Sequence, residues 1–542
     1  RSPVCLSIST IMLKVSTTVF LFAVVCTRAQ GEGNDAGFEL LYNDSLEEIV
    51  EPLKLNGTVP SWLSGQFLRN GPGRFDMGKR NFTFAWDGFA KISSYKFKNG
   101  EVYFQTRYLG NKFYNKSVEI NDIAPTLLFG VTEPPLKVGL PGLMSHMNAN
   151  NVNVHRFGNG TDGKKPLFGA VTDIAAMSIF DENTLSGIPF SWKDKLITKI
   201  MSAAHPQYLI GDDSVTVNYA ATPSLFGNTT IELYKVSQAT GMKREVFGTI
   251  SIDSLPLIHS FGITENYVIM TLWPVRWHMG CLMEFKPIQD CMSWDDKARS
   301  TIALVPLDGS NKVRYFFGEP TMAWHHLNAY EESEKVVFDV NACRNCASPT
   351  AMKNMDIRIL RNKTARDSKL SDTADPTLRQ YTLNLKDNTL VEKDYSRKAS
   401  DGKWYNTSLL PRFNNNFRGK KYCYAYLETS ANAGSTTDYA SMALLKKNLC
   451  NDAPYAVWRK ENHYPSEPQF IPRPGATAED DGVIVDAVLD GNRRQTYLLV
   501  LDGKTFKEIA SIYTPTVQPT GLHGQFYPST PPQIALHTIK SP

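Results

Sequence analysis

The sequence is short of the features that announce many common functions. It carries no Gly-rich phosphate loop and no block of like charge long enough to form a tail. Lys and Arg total 58 against 54 Asp and Glu, a formal charge of +4 over 542 residues. Such near-neutrality excludes the electrostatic footprint of a nucleic-acid binder or of a site for acidic substrates. Roughly 150 residues per domain would suggest three or four domains, but no linker-like stretch divides the chain, and internal repeats are weak. The apolar run VSTTVFLFAVVC after Lys14 is too short to span a bilayer as a stop-transfer helix. Histidine numbers only 10, and none forms the H-E-x-x-H pair of zinc proteases.

What is present begins at the N-terminus. Residues 1–11 read as a non-native or untranslated leader, and 12–29, from Met12 through the apolar run to small residues near Ala29, as a secretory signal peptide. The mature chain, 30–542, is then expected to be one domain, secreted or in the secretory-pathway lumen, without a transmembrane helix. A cytoplasmic protein in peripheral contact with membrane is the alternative. Sequons at Asn43, Asn56, Asn81, Asn115, Asn159, Asn228, Asn362 and Asn406 suit a glycoprotein, although chance alone supplies several. Six cysteines follow the signal: Cys281, Cys291, Cys343, Cys346, Cys423 and Cys450. The even count fits disulfides in an oxidising compartment, with the pairing left open.

Short runs of β-branched and aromatic residues, such as KVVFDV, YVIMTLW, GVIVDAVLD and TYLLVLD, are separated by Gly, Pro, Asn and Asp turns. That pattern predicts an all-β fold. Three segments read as caps. APTLLFGVTEPPLKVGLPGLMSH, 124–146, is apolar and broken by prolines; IPFSWKDKLITKIMSAA, 188–204, has amphipathic helical spacing. In 273–294, Trp, Met, Leu and Phe stand beside Arg276 and Lys286. This last composition suits either peripheral membrane contact or burial against the rim of the fold.

Four histidines sit in separate local motifs: His205 in AHPQY, His259 in IHSFGITENYV, His325 in WHHLNAYEE and His523 in PTGLHGQFY. Together they read as one metal site assembled by tertiary folding, since imidazole suits first-row transition metals and such distant residues cannot share a helix face. The other six, His146, His155, His278, His326, His463 and His537, read as surface or core residues.

The motifs around these histidines, with FLRNGPGRF (67–75), NANNVNVHRFG and YPSEPQFIPRPGATAEDDGVIVDAVLD (464–490), resemble the carotenoid cleavage oxygenases over about 52–528. That family includes the carotene dioxygenases, the plant epoxycarotenoid dioxygenases and the retinal pigment epithelium isomerase. The resemblance implies a seven-bladed β-propeller with helical or loop caps over one face, and one Fe2+ held by His205, His259, His325 and His523. It takes His325 rather than His326 as ligand through the pattern His-x-x-Asn. The activity implied is oxidative cleavage of a carbon-carbon double bond of a carotenoid or apocarotenoid by dioxygen, giving carbonyl products.

Outside the ligands the family places three glutamates. Glu467 matches one; Asp173 stands in, with shorter reach, for a second; Leu409 occupies the third, where nothing can accept a hydrogen bond. The family's Pro-Asp-Pro-Cys-Lys segment is also missing, EPPLK from Glu133 being the nearest text. The altered surroundings keep a second reading open, a secreted carotenoid-binding protein with weak or no turnover. A retinoid isomerohydrolase-like enzyme is a third.

Overall fold

Several strands are buried along their whole length rather than on alternate residues. Gly482–Asp490 is buried at every position and Lys335–Cys343 at all but the first. Both faces of such a strand must therefore be covered, which happens when sheets stack face to face. Strands at the far edges do the opposite: Ile49–Lys54 and Leu390–Asp394 are largely exposed. The computed structural model, which describes residues 35–136, 149–160, 164–224, 228–284, 286–344, 349–369, 376–405, 407–433 and 436–529, shows why. Seven antiparallel sheets of four or five strands follow one another along the chain, each a blade of a propeller. The four runs singled out in the sequence lie in the strands Lys335–Cys343, Tyr267–Leu272, Gly482–Asp490 and Gln495–Asp502.

The first strands of the blades line the axis. In order they are Asn153–Phe157, Gln207–Leu209, Gly262–Ile263, Met322–Glu332, Leu409–Arg412 and the pair His463–Tyr464 with Gln469–Pro472. Neighbouring first strands pack directly: Gln207–Leu209 on Gly262–Ile263, that strand on Met322–Glu332, and Met322–Glu332 on Leu409–Arg412. The ring is closed by the last strand, His523–Pro528, which pairs antiparallel with Gly65–Arg74 in the first sheet and sets Asn70 opposite His523. A residue at the C-terminal end of the chain thus joins residues from the middle at one point.

The Arg-Asn-Gly-Pro sequence of FLRNGPGRF lies inside the strand Gly65–Arg74, with a bulge between Pro72 and Arg74. A Cβ on Gly71 would stand 2.8 Å from Gly521 Cα, so glycine there admits the incoming C-terminal segment. Arg69 donates to Ser466 Oγ at 2.7 Å, and Asn70 Nδ2 to the carbonyls of Asn150 and Asn153.

The caps are less helical than their spacing suggests. Within 188–204 only a 3-10 turn, Lys195–Thr198, forms. Pro189 cannot sit inside a helix ladder, and Trp192 is pinned by its indole bond to Ala175 O and by the Arg244 guanidinium over its ring at 4.4 Å. In 273–294 a two-stranded ribbon, Val275–Trp277 with Met292–Trp294, carries a short helix, Met279–Met283, and is tied by the disulfide Cys281–Cys291. Trp273, Trp277, Ile288 and Met292 are buried in the core, leaving Met283 and Lys286 at the surface. A second disulfide joins Cys423 and Cys450. The leader and signal readings (1–29), residues 137–148 of the first proposed cap and beyond, Cys346, Asn406 and His537 lie outside the described residues, and no described helix is long and apolar enough to cross a membrane.

A candidate metal centre facing an apolar cavity

Three of the singled-out histidines stand at or beside first strands, His205 just before Gln207–Leu209, His259 just before Gly262–Ile263 and His325 within Met322–Glu332, and His523 heads the closing strand His523–Pro528. Their nearest ring nitrogens lie within 4.8 Å of one another. His205 Nε2 is 3.1 Å from His259 Nε2, and His325 Nε2 is 3.2 Å from His523 Nε2.

The Nδ1 sides explain how the rings are aimed. His259 Nδ1 donates to both oxygens of Asp173, at 2.9 and 2.8 Å, so the shorter acid does reach. His523 Nδ1 donates to Glu467 Oε1 at 2.7 Å. A proton held on Nδ1 leaves the Nε2 lone pair free and facing inward, the tautomer a metal ligand needs. Burial, reinforced by the neighbouring imidazoles, pushes the His205 and His325 pKa values well below the usual histidine range. Four converging imidazoles form a donor set that suits a divalent transition metal such as iron.

His325 and His326 part ways because successive strand residues point to opposite faces. His326 turns outward, with Nδ1 at 2.9 Å from Ser260 Oγ and its ring stacked on Phe338. The Asn of His-x-x-Asn, Asn328, donates to the carbonyls of Phe417 and Lys420 and so fastens the segment that follows Leu409–Arg412.

Among the described residues, His325 Nδ1 meets no carboxylate. Its neighbour is the amide nitrogen of Asn341 at 3.4 Å, while Asn341 Oδ1 accepts from the His325 backbone N–H. Leu409, which the resemblance aligns with one of the family's glutamates, lines the adjoining cavity and offers no acceptor. Two residues to which the sequence assigned no role complete the surroundings. Arg412 donates to Glu467 Oε2 at 2.8 Å and to Gly524 O. Burial alone would raise the Glu467 carboxyl; Arg412 and His523 overcome it and hold its pKa at about 2. Glu428, directly opposite Leu409 across the sheet, is buried and lines the same cavity.

That cavity, of about 310 Å³, is lined in part by His259, His325 and His523. Trp86, Phe113, Phe129, Trp277 and Trp324 supply much of its wall, and Trp324 stands edge-on to His259 at 5.4 Å. Asp87, also on the wall, accepts from the backbone of Phe129 and Gly130 and thereby shapes the loop carrying Phe129.

A seven-bladed propeller with four converging histidines, three of them lining a largely apolar cavity, is the class that fold and site define. A family model described as retinal pigment epithelial membrane protein matches residues 42–528. The chain belongs to that family, the carotenoid cleavage oxygenases. Mouse β,β-carotene 15,15'-dioxygenase is 28% identical over 537 residues, covering 90% of this chain and 92% of that protein. The human mitochondrial carotenoid-cleaving dioxygenase is 26% identical, covering 87% of each. Among solved structures, an apocarotenoid oxygenase of Synechocystis superposes with a TM-score of 0.74 at 21% identity, covering 90% of this chain and 98% of that one. A cobalt-substituted form of the Synechocystis enzyme gives 0.75 at 20% identity, with 91% and 98% covered.

Proposed function

We propose that this chain is an iron(II)-dependent dioxygenase that cleaves a carbon-carbon double bond of a carotenoid or apocarotenoid into two carbonyl fragments. One observation carries the reading: four histidine side chains converge on one point, and three of them, His259, His325 and His523, line a cavity walled largely by aromatic and aliphatic side chains. His205, His259, His325 and His523 would hold the ion, which when bound supplies a place for dioxygen beside the polyene. The protein's own groups do the rest. Asp173 and Glu467 fix two ring orientations, and the apolar wall aligns a rod-like substrate and excludes water. Both oxygen atoms enter the products, so no external reductant is required.

The test is to prepare the chain from about Gln30, measure bound iron, and add β-carotene or an apocarotenal first without and then with air. Iron near one per chain and oxygen-dependent aldehydes support the oxygenase. Tight polyene binding without products, even after iron is restored, supports the second reading, a carotenoid-binding protein. What favours that second reading is His325, whose Nδ1 lacks a carboxylate.

The Leu409 position gives a graded check. Leu409→Glu alone would set the new carboxylate opposite Glu428, whose raised pKa leaves it a proton to donate, so Glu428 would compete with His325 for the new acceptor. The double swap Leu409→Glu/Glu428→Leu is therefore expected to raise iron affinity by roughly tenfold, the usual scale of an outer acceptor, and the single change by less. Iron dissociation followed with a chelator checks this; no gain from the swap would show that Leu409 does not look toward His325.

For location, we propose passage through the secretory pathway. Asn56, Asn81, Asn115, Asn228 and Asn362 are exposed, as glycan acceptors must be. Protein secreted from animal cells is expected to gain mobility on gels after amidase deglycosylation, and no shift would remove this support. Met283 beside Lys286 is the part of 273–294 that remains available for peripheral membrane contact.

A further inference from the structure

We propose that Glu428 is a recognition group for an oxygen-bearing end of the substrate, so that the cavity selects polyenes carrying a hydroxyl or carbonyl over pure hydrocarbons. The inference rests on the oxygenase reading for the identity of the ligand as a polyene, but not on turnover.

Glu428 lies on the strand Tyr424–Ala433, directly opposite Leu409, at 8% exposure, and lines the cavity with Leu409, Leu410, Met442 and Ser430. Other acidic groups near the site are committed. Asp173 serves His259, Glu467 serves His523 and Arg412, and Asp87 serves two backbone N–H groups. Glu428 has no hydrogen-bond or ion-pair partner among the described residues.

Its charged neighbourhood does not supply one. Asp486 and Glu467 repel its charge; Arg69, the cation that acts on it, is bonded to Ser466. Burial first, and then Asp486, push the Glu428 pKa up to about 8, so near neutrality it holds a proton that it can donate. Thr407, the nearby hydroxyl, is occupied by Thr429 and the Ser430 backbone. A buried polar group is ordinarily paired. In a wall otherwise built for hydrocarbon, an unpaired carboxyl makes sense as a donor to a ligand carbonyl or as donor and acceptor to a hydroxyl.

The expected preference is roughly 10- to 100-fold, the worth of one good buried hydrogen bond expressed as a binding ratio. The experiment compares β-carotene with zeaxanthin, which has the same polyene and a hydroxyl on each ring, in mixed detergent micelles. Binding by absorption shift and kcat/KM for cleavage are both read, for the unaltered chain, Glu428→Leu and Glu428→Gln. The expected result is tighter binding of zeaxanthin, lost in Glu428→Leu and partly kept in Glu428→Gln, with β-carotene binding unchanged or improved in Glu428→Leu. That β-carotene signal is also the control for folding. Equal binding of the two polyenes by the unaltered chain, or a parallel loss of both in Glu428→Leu, would overturn the proposal. A zeaxanthin preference without cleavage of either polyene would uphold this inference while removing the oxygenase reading; equal cleavage of both would do the reverse.

Discussion

Replacing His325 by alanine is expected to lower bound iron from about one per chain to near zero, and oxygen-dependent cleavage with it, while His326→Ala leaves most of the iron in place. The two residues are adjacent, so non-specific disturbance of the strand would affect both. Their environments differ in kind. His325 Nε2 stands 3.2 Å from His523 Nε2 among the converging imidazoles, whereas His326 bonds Ser260 and stacks on Phe338 on the other face. Loss of His325 would also weaken the case for holding the other three rings together, since neutral imidazoles facing one another gain from a shared cation. His326→Ala opens a small cavity in the core and is expected to cost roughly 1–3 kcal/mol of stability, not metal. Metal analysis and thermal melting of both variants separate these effects. Equal loss of iron would mean that the His-x-x-Asn register is misread.

Much of this site is legible in the sequence because its parts are local. Each of the four histidines sits in a short motif, and the strand alternation at His325 and His326 follows from backbone geometry alone. The all-β pattern is equally local, since runs such as GVIVDAVLD announce strands buried on both faces. The closure of the ring is not. That His523–Pro528 pairs with Gly65–Arg74 is a contact across nearly the whole chain, and weak repeats give no blade count.

The outer groups divide in the same way. Glu467 and Asp173 belong to recognisable stretches, and each accepts from one histidine ring, His523 and His259 respectively. Arg412 and Glu428 were missed because their roles depend on a partner from another blade or strand. Arg412 matters through Glu467 and Gly524, and Glu428 through the leucine opposite it. An acid within the apolar run YAYLETS is the one local signal, and it means little until the cavity is known. Likewise 188–204 has helical spacing, but Pro189 and the fixed Trp192 leave only one turn of helix.

The second large effect is expected at Arg412. Its guanidinium is what keeps Glu467 ionised in a place where burial favours the neutral acid. Arg412→Met is expected to destabilise the iron-free chain by about 3–5 kcal/mol, the usual consequence of stranding a buried charge. The sign of the accompanying pH effect follows from the direction of the shift. Because the folded pKa of Glu467 is depressed from 4.5 to about 2, its ionisation stabilises the unaltered protein fully above 4.5, and that contribution is lost as pH falls toward 2. Without Arg412 the burial contribution is less opposed, the folded pKa rises, and the loss should begin at a higher pH. A protonated Glu467 also becomes a poorer acceptor for His523 Nδ1, which frees that ring to turn and weakens iron retention in parallel. Arg412→Lys, which keeps a charge but cannot reach Glu467 and Gly524 together in the same fork, should lie between. Melting temperatures of the iron-free proteins across pH 4 to 8, with iron retention at neutral pH, test both halves. Superimposable pH profiles for Arg412→Met and the unaltered chain would show that Arg412 packs against the site without setting the charge of Glu467.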